Sequence, residues 1–208
     1  IYQNIEDQRG LAYAWMFAGL EADFEADYPQ ARHLQPQSVA MFRAVGDRWG
    51  LAWALNYLAM SSLVSGDYTT IRGQLEESLV LFHAIGDGAS AAMPLSLLGM
   101  LDQRQANYSR ARQRLEQALD TFRHNGDRWH TAFVLTNLGL TAFRQKHYDR
   151  ARQCFEEAIE LYRSLGDKGA LAIALSEMGD VALTLDENDE ARRLYNASLD
   201  LWQGLNIP

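Results

Sequence analysis

The chain has 208 residues, with 27 acidic against 19 basic side chains, a formal net charge of −8 and a pI near 5.1. That balance disfavours nucleic-acid contact by this segment, because a phosphate-tracking surface needs clustered Lys and Arg. No apolar run approaches the roughly 20 residues needed to span a bilayer and no secretory signal opens the chain, while a single cysteine, Cys154, leaves no internal disulfide framework, so a soluble protein of the cytoplasm is expected.

Gly-Asp recurs at Gly46-Asp47, Gly86-Asp87, Gly126-Asp127 and Gly166-Asp167, always 40 residues apart. At that period Tyr28, Tyr68, Tyr108 and Tyr148 share one column, and Phe42, Phe82, Phe122, Tyr162 and Trp202 share another. Self-similarity at such a period marks a solenoid or propeller, whose unit must stack on its neighbours to bury its apolar face. The residues 1–208 therefore read as one repeat array with units of about 7–46, 47–86, 87–126, 127–166 and 167–206. Val is scarce, Ala, Leu, Arg, Gln and Glu dominate, and alternation of period two is absent, which rejects the propeller.

The chain opens on Ile1-Tyr2-Gln3-Asn4-Ile5-Glu6, which aligns with the end of a second helix at Leu161 to Gly166 and lacks an initiator Met, so a fragment of a longer protein is expected. In the first unit Pro36 falls within the expected second helix, where its ring and missing N–H should kink or end it. Trp49 and Trp129, at matching positions near the start of first helices, are either ridge contacts for a partner or packing against the preceding helix. In the third unit Gly88-Ala89-Ser90 and Pro94 predict a late start or bend of the first helix. The fourth unit is the clearest: Ala132, Leu135, Leu138, Gly139 and Ala142, then Ala151, Phe155, Ala158, Ile159 and Tyr162, each follow helical spacing across the turn Gln145-Lys146-His147-Tyr148. Each unit is thus a helix hairpin, with Gly as C′ residue of one helix and Asp as N-cap of the next. The fifth unit ends on Leu199, Leu201, Trp202 and Leu205 with no polar capping helix, an end that should continue in the parent or bury itself in another molecule, including by self-association.

Leu138-Gly139, Ala142, Tyr148, Ala151, Phe155 and Ala158 resemble the signature of the tetratricopeptide repeat (TPR), over essentially the whole chain. The period of 40 exceeds that family's usual ~34 and is nearer the kinesin-light-chain type of repeat. Gly-Asp-Arg-Trp followed by Leu-Gly, Tyr and Ala-Arg is also similar to helical arrays in bacterial regulatory ATPases and transcriptional activators of the MalT and AfsR kind. The resemblance implies an all-α fold, a right-handed superhelical α-solenoid of five TPR-like hairpins, with the first helices lining a concave groove. In that register the groove takes Tyr13, Met16 and Leu20, then Trp53, Asn56 and Met60, then Met93, Ser96 and Met100, then Phe133, Thr136, Asn137, Leu140 and Phe143, and last Ile173, Ser176 and Asp180. A continuous apolar, Met-rich strip suits a bound helix or peptide, so the partner expected is a protein or peptide segment. A register off by one position would instead place some of these residues between helices. The Lys and Asn constellation by which some TPR proteins clamp a peptide carboxylate is missing.

No nucleophile motif, phosphate loop or dinucleotide fingerprint is present, the histidines His33, His83, His124, His130 and His147 lack metal-ligand spacing, and the carboxylates follow repeat columns. No enzyme, cofactor or metal site is expected. Arg72-Glu76, Arg112-Glu116 and Arg152-Glu156 read as i,i+4 scaffold pairs, and Arg43, His83, Arg123 and Arg163 as a basic column complementing the helix dipole. The function expected is a non-catalytic interaction scaffold within a larger bacterial signalling or transcriptional regulator. The alternative is a sensor domain for a small ligand or signalling peptide in a regulatory ATPase or transcription activator.

Overall fold

The computed structural model describes residues 7–25, 27–63 and 66–205, and among these every regular element is an α-helix. In chain order they are α1 (Gln8–Phe24), α2 (Tyr28–Val45), α3 (Arg48–Ser62), α4 (Tyr68–Ala84), α5 (Ala92–Arg104), α6 (Tyr108–His124), α7 (Arg128–Arg144), α8 (Tyr148–Leu165), α9 (Lys168–Thr184) and α10 (Asn188–Gly204). The chain forms two compact units, Ile1–Leu101 and Asp102–Pro208, divided within α5. In the first, α1 pairs with α2, α3 pairs with α4, and α2 packs on α3. In the second, α7 pairs with α8 and α9 with α10, while α6 packs on α7 and α8 on α9. The helical reading of residues 1–6 lies outside the described residues.

The Gly-Asp pair closes one helix and opens another, as its chemistry dictates. Gly46 and Gly166 end α2 and α8 at φ 72°, a left-handed conformation that glycine adopts without a Cβ clash. The next N–H turns back on the helix it leaves, Asp47 N to Phe42 O at 3.1 Å and Asp167 N to Tyr162 O at 3.1 Å. The same aspartates then cap the following helix, Asp47 accepting from Gly50 N at 2.9 Å and Asp167 from Ala170 N at 2.9 Å. Within the hairpins the turn also needs positive φ, and there Ala106, Lys146 and Asp186 hold it without being glycine, at 59°, 63° and 62°.

Helices approach closely where a side chain is missing. A Cβ on Gly139 would stand 2.8 Å from the Phe155 ring, and one on Gly179 would stand 2.7 Å from Tyr195. Where the repeat carries Ala59 in place of this glycine, its counterpart across the hairpin is the smaller Leu75, buried with it in one cluster. Three second helices add a buried hydroxyl that donates to a carbonyl of the first helix, Ser38 to Ala12 O and Ser78 to Ala52 O, each at 2.9 Å, and Ser198 to Ala172 O at 2.7 Å. The one polar member of the Leu75 and Phe155 column, Gln35, is buried, donating to Asp23 at 2.6 Å and accepting from Ser61 at 2.5 Å.

The two prolines behave differently from one another. Of the expected kink or end at Pro36, the end is corrected, since α2 runs on from Tyr28 to Val45; Pro36 is exposed, so the carbonyl deprived of its donor lies on the solvent side. α5 does start late, at Ala92 after turns over residues 88–91, and Pro94 falls in its first turn, where an N–H would have no helical acceptor.

Candidate functional site

The positions expected to meet a partner lie on α1, α3 and α5 in the first unit and on α7 and α9 in the second. On α3 an aromatic row forms: Trp49 and Trp53 centroids lie 6.0 Å apart, Trp53 and Tyr57 stack at 5.8 Å, and Trp53 meets Phe82 edge to face at 5.5 Å. Tyr13 of α1 packs with Trp53 on the same cluster and stacks on Phe17 at 6.4 Å. Met60 is 39 % exposed, and Met93 and Met100 are half-buried against the cluster of Leu97, Leu98 and Leu101. Met16, Asn56 and Ser96 are buried, so this column turns into the packing in the first unit. Of the neighbouring residues that the sequence register passed over, Phe17 is 56 % exposed and Tyr57 is half-buried against the α2–α3 cluster.

Asn56 differs from the other polar residues of these helices. Ser96 donates to Met93 O at 2.8 Å, Thr136 to Ala132 O at 2.9 Å and Asn137 to Phe133 O at 2.8 Å, each satisfied within its own helix. Neither atom of the Asn56 carboxamide has a hydrogen-bond partner although the residue is 0 % exposed, and Trp53 Nε1, one turn earlier, is buried and unpartnered as well. A buried polar group left unmade costs about 1–3 kcal/mol. The fold tolerates that cost twice on one face of α3.

In the second unit Phe133 stacks on Trp129 at 5.7 Å, and Leu140 and Phe143 pack beside Met178 on the Ala142 and Val181 cluster. Ile173 is 48 % exposed, Ser176 half-buried and Asp180 exposed, where it accepts from the Tyr195 hydroxyl at 2.6 Å. Desolvation, with that hydrogen bond, pushes the Tyr195 phenol up to about 12. Burial, and then the Asp180 charge, also raise the Glu177 carboxyl, against the opposing pull of Arg144. This end of the face is apolar with an acidic edge.

Trp49 and Trp129 fix the spacing between hairpins. The Trp49 indole N–H donates to Asp87 at 3.1 Å and that of Trp129 to Asp167 at 2.9 Å, both across 38 residues. Arg9 and Tyr13 meet Asp47 in the same sense, at 2.6 and 3.1 Å. Burial alone would raise the Asp47 carboxyl; the Gly50 N–H, Tyr13 and Arg9 outweigh it and hold it below the usual range. The basic column likewise reaches across repeats, Arg43 to Glu77 at 2.7 Å and Arg123 to Glu157 at 2.5 Å. Of the expected i,i+4 pairs, Arg72–Glu76 stands at 4.0 Å, whereas Arg152 extends to Glu187 at 2.5 Å and Glu116 accepts Arg150 at 3.1 Å. Cys154 is buried and its thiol is raised by desolvation. Among the described residues no group of three His, Cys, Asp or Glu could hold a metal ion, and no helix is long and apolar enough to cross a membrane.

Paired helices repeated in register, capped by shared aspartates and carrying mixed apolar and polar leading faces, define a helical-repeat scaffold. The tetratricopeptide repeat model matches residues 50–124 and 128–204, and the chain belongs to that family. No curated protein matches the sequence. Among solved structures, BtubC (BKLC) from P. vanneervenii aligns with a TM-score of 0.79 at 19 % identity, over 99 % of this chain and 85 % of that one. A Rap protein complexed with competence and sporulation factor gives 0.83 at 14 % identity, over 91 % of this chain and 53 % of that one. The nearly identical TPR-like repeats of a Podosopora anserina putative kinesin light chain give 0.67 at 12 % identity, covering 94 % and 97 %. The fold is therefore an all-α TPR solenoid, the fold of protein–protein interaction scaffolds.

Proposed function

We propose that the chain is a non-catalytic docking module of a larger bacterial signalling or transcriptional regulator, and that it binds a protein or peptide segment along the leading helices of its hairpins. The observation that carries this reading is the leading face of α3, where the aromatic row of Trp49, Trp53 and Tyr57 shares the helix with Met60, 39 % exposed. Aromatic rings and the flexible thioether of Met accept the apolar side chains of such a segment. In the second unit Phe133, Thr136, Asn137, Leu140, Phe143, Ile173, Ser176 and Asp180 offer apolar contacts bounded by the Glu177 and Asp180 charges. That edge favours a segment carrying a basic residue.

Selection of a random displayed-peptide library on the immobilised chain, with counter-selection on a Trp53→Leu variant shown to remain helical, tests this reading. Peptides that bind the parent and lose the variant are expected. Recovery of only peptides indifferent to Trp53 would overturn it.

A second reading, a sensor of a signalling peptide or small ligand, draws on the likeness to the Rap protein, which was solved with competence and sporulation factor. It predicts saturable thermal stabilisation by a small molecule or short peptide.

A further inference from the structure

The six methionines of the chain, all of them among the described residues, divide sharply by their surroundings. Met16 is buried with Val39 and Phe42, and Met41 is half-buried against the same cluster. Met93 and Met100 are half-buried against Leu97 and Leu98, and Met178 against Phe155 and Val181. Met60 alone is exposed, at 39 %. A thioether is oxidised only where the oxidant can meet its sulfur, so packing protects five of the six.

The place of that one exposed sulfur matters. Trp49, Trp53, Tyr57 and Met60 follow one another along α3 at helical spacing, so Met60 continues the aromatic row on the same face of the helix. It lies in the last turn of α3, at the solvent end of the row, where a change of polarity alters the surface offered to a partner and leaves the apolar clusters as they are.

We infer that Met60 is an oxidation site through which peroxide weakens partner binding at the α3 face, an inference that rests on the docking function proposed above. The Met60 Sδ lone pair takes one oxygen from hydrogen peroxide. An S–O bond forms and the O–O bond breaks; the thioether is oxidised to the sulfoxide, and the proton of the transferred oxygen passes to the departing hydroxide, which leaves as water. The product replaces a flexible apolar end with a polar one that carries a strong acceptor. An apolar side chain of the partner seated there then desolvates that acceptor without supplying a donor, so the penalty falls on the bound state.

Hydrogen peroxide titration of the full chain, quenched before each measurement, tests the inference. Oxidised residues are mapped by mass spectrometry, stability is read from the urea midpoint, and affinity is measured by calorimetry with a library-selected peptide free of Met, Cys and Trp. Met60 should take up oxygen before any other methionine, the midpoint should hold, and affinity should fall about tenfold in step with the fraction of Met60 oxidised. Met60→Leu, whatever its starting affinity, should lose none on the same treatment. Another methionine oxidised first overturns the inference, as does full oxidation of Met60 with unchanged affinity. An equal loss in Met60→Leu overturns it too, and would place the effect on the tryptophans of the row. A chain that binds no selected peptide before peroxide is added contradicts the docking function itself, and the inference with it, at a step that precedes any oxidation.

Discussion

The Trp129 indole N–H donates to one oxygen of Asp167 at 2.9 Å while the other oxygen of that carboxylate accepts Ala170 N at 2.9 Å, so a single side chain both caps α9 and holds the preceding hairpin. Trp49 and Asp87 repeat the relationship, Asp87 also accepting from Ser90 N at 3.0 Å. The column of aspartates is therefore the joint of the array. Before Asp127 the residue at the clasping position is Ala89, which has no donor, and the free oxygen of Asp127 takes His130 Nδ1 at 2.7 Å instead.

Removing one half of that joint separates its two roles. Trp129→Phe keeps the ring and loses the donor, and should cost about 1 kcal/mol, the usual net worth of one hydrogen bond to a charged group at a partly exposed site. Asp167→Ala loses cap and clasp together and should cost about 2–3 kcal/mol. Urea unfolding of both variants measures the difference; equal losses would mean that the cap contributes nothing, and an unchanged Trp129→Phe that the indole contact contributes nothing.

Glycine at position 139 is dictated by Phe155. Gly139→Ala gains helix propensity of about 1 kcal/mol yet places a Cβ 2.8 Å from the ring, so a net loss of about 1–2 kcal/mol is expected. Phe155→Leu in the same chain recreates the Ala59 and Leu75 pairing and should recover most of the loss introduced by the alanine. A double-mutant cycle by thermal unfolding reads that coupling.

Much of this architecture is legible in the sequence because each unit repeats the same local decisions. The period, the hairpins, the Gly-Asp joints and the late start of α5 all follow from short-range chemistry: capping aspartates, left-handed glycines and helical spacing. Contacts that depend on where a neighbouring repeat lies are not legible in that way. Arg152 was expected to pair with Glu156 one turn on, but Glu187 of the next hairpin is within its reach. Trp49 offered packing against the preceding helix or a partner ridge as readings; its indole N–H reaches a carboxylate 38 residues on, a contact neither reading contains, and the ring stays 44 % exposed. On the leading helices, burial depends on the neighbouring packing: Met16, Asn56 and Ser96 are buried, whereas Phe17 is exposed and Tyr57 half-buried.

Lys146 carries backbone strain that glycine would relieve. At φ 63° an L-residue pays about 1–2 kcal/mol relative to right-handed conformations, while glycine's extra unfolded-state entropy costs about 0.5–1 kcal/mol. Lys146→Gly should thus raise stability by about 0.5–1 kcal/mol, seen as a higher denaturant midpoint at unchanged slope.

Glu177 and Tyr195 set the pH response of α9 and α10. Both groups have raised pKa values in the fold, so the native state holds its proton more tightly than the unfolded chain. For Tyr195, raised to about 12 from the ordinary phenol value of 10.0, the associated stability is complete below pH 10 and lost as pH rises toward 12. For Glu177 the contribution is complete in acid and lost as pH rises through its folded-state value, so Glu177→Gln should stabilise the chain at neutral pH and lose that advantage in acid. Thermal melts of parent and variant across the acid limb check the sign.

The docking account is tested most directly at Met60, the exposed apolar side chain on the last turn of α3. Met60→Ser removes a side chain that is 39 % exposed, so unfolding stability should stay nearly equal. Calorimetric titration of a selected peptide against the parent and this variant should show affinity falling about tenfold or more, the equivalent of about 1.4 kcal/mol or greater. Unchanged affinity in a variant of unchanged stability would contradict the assignment of the α3 face as the site where a partner is bound.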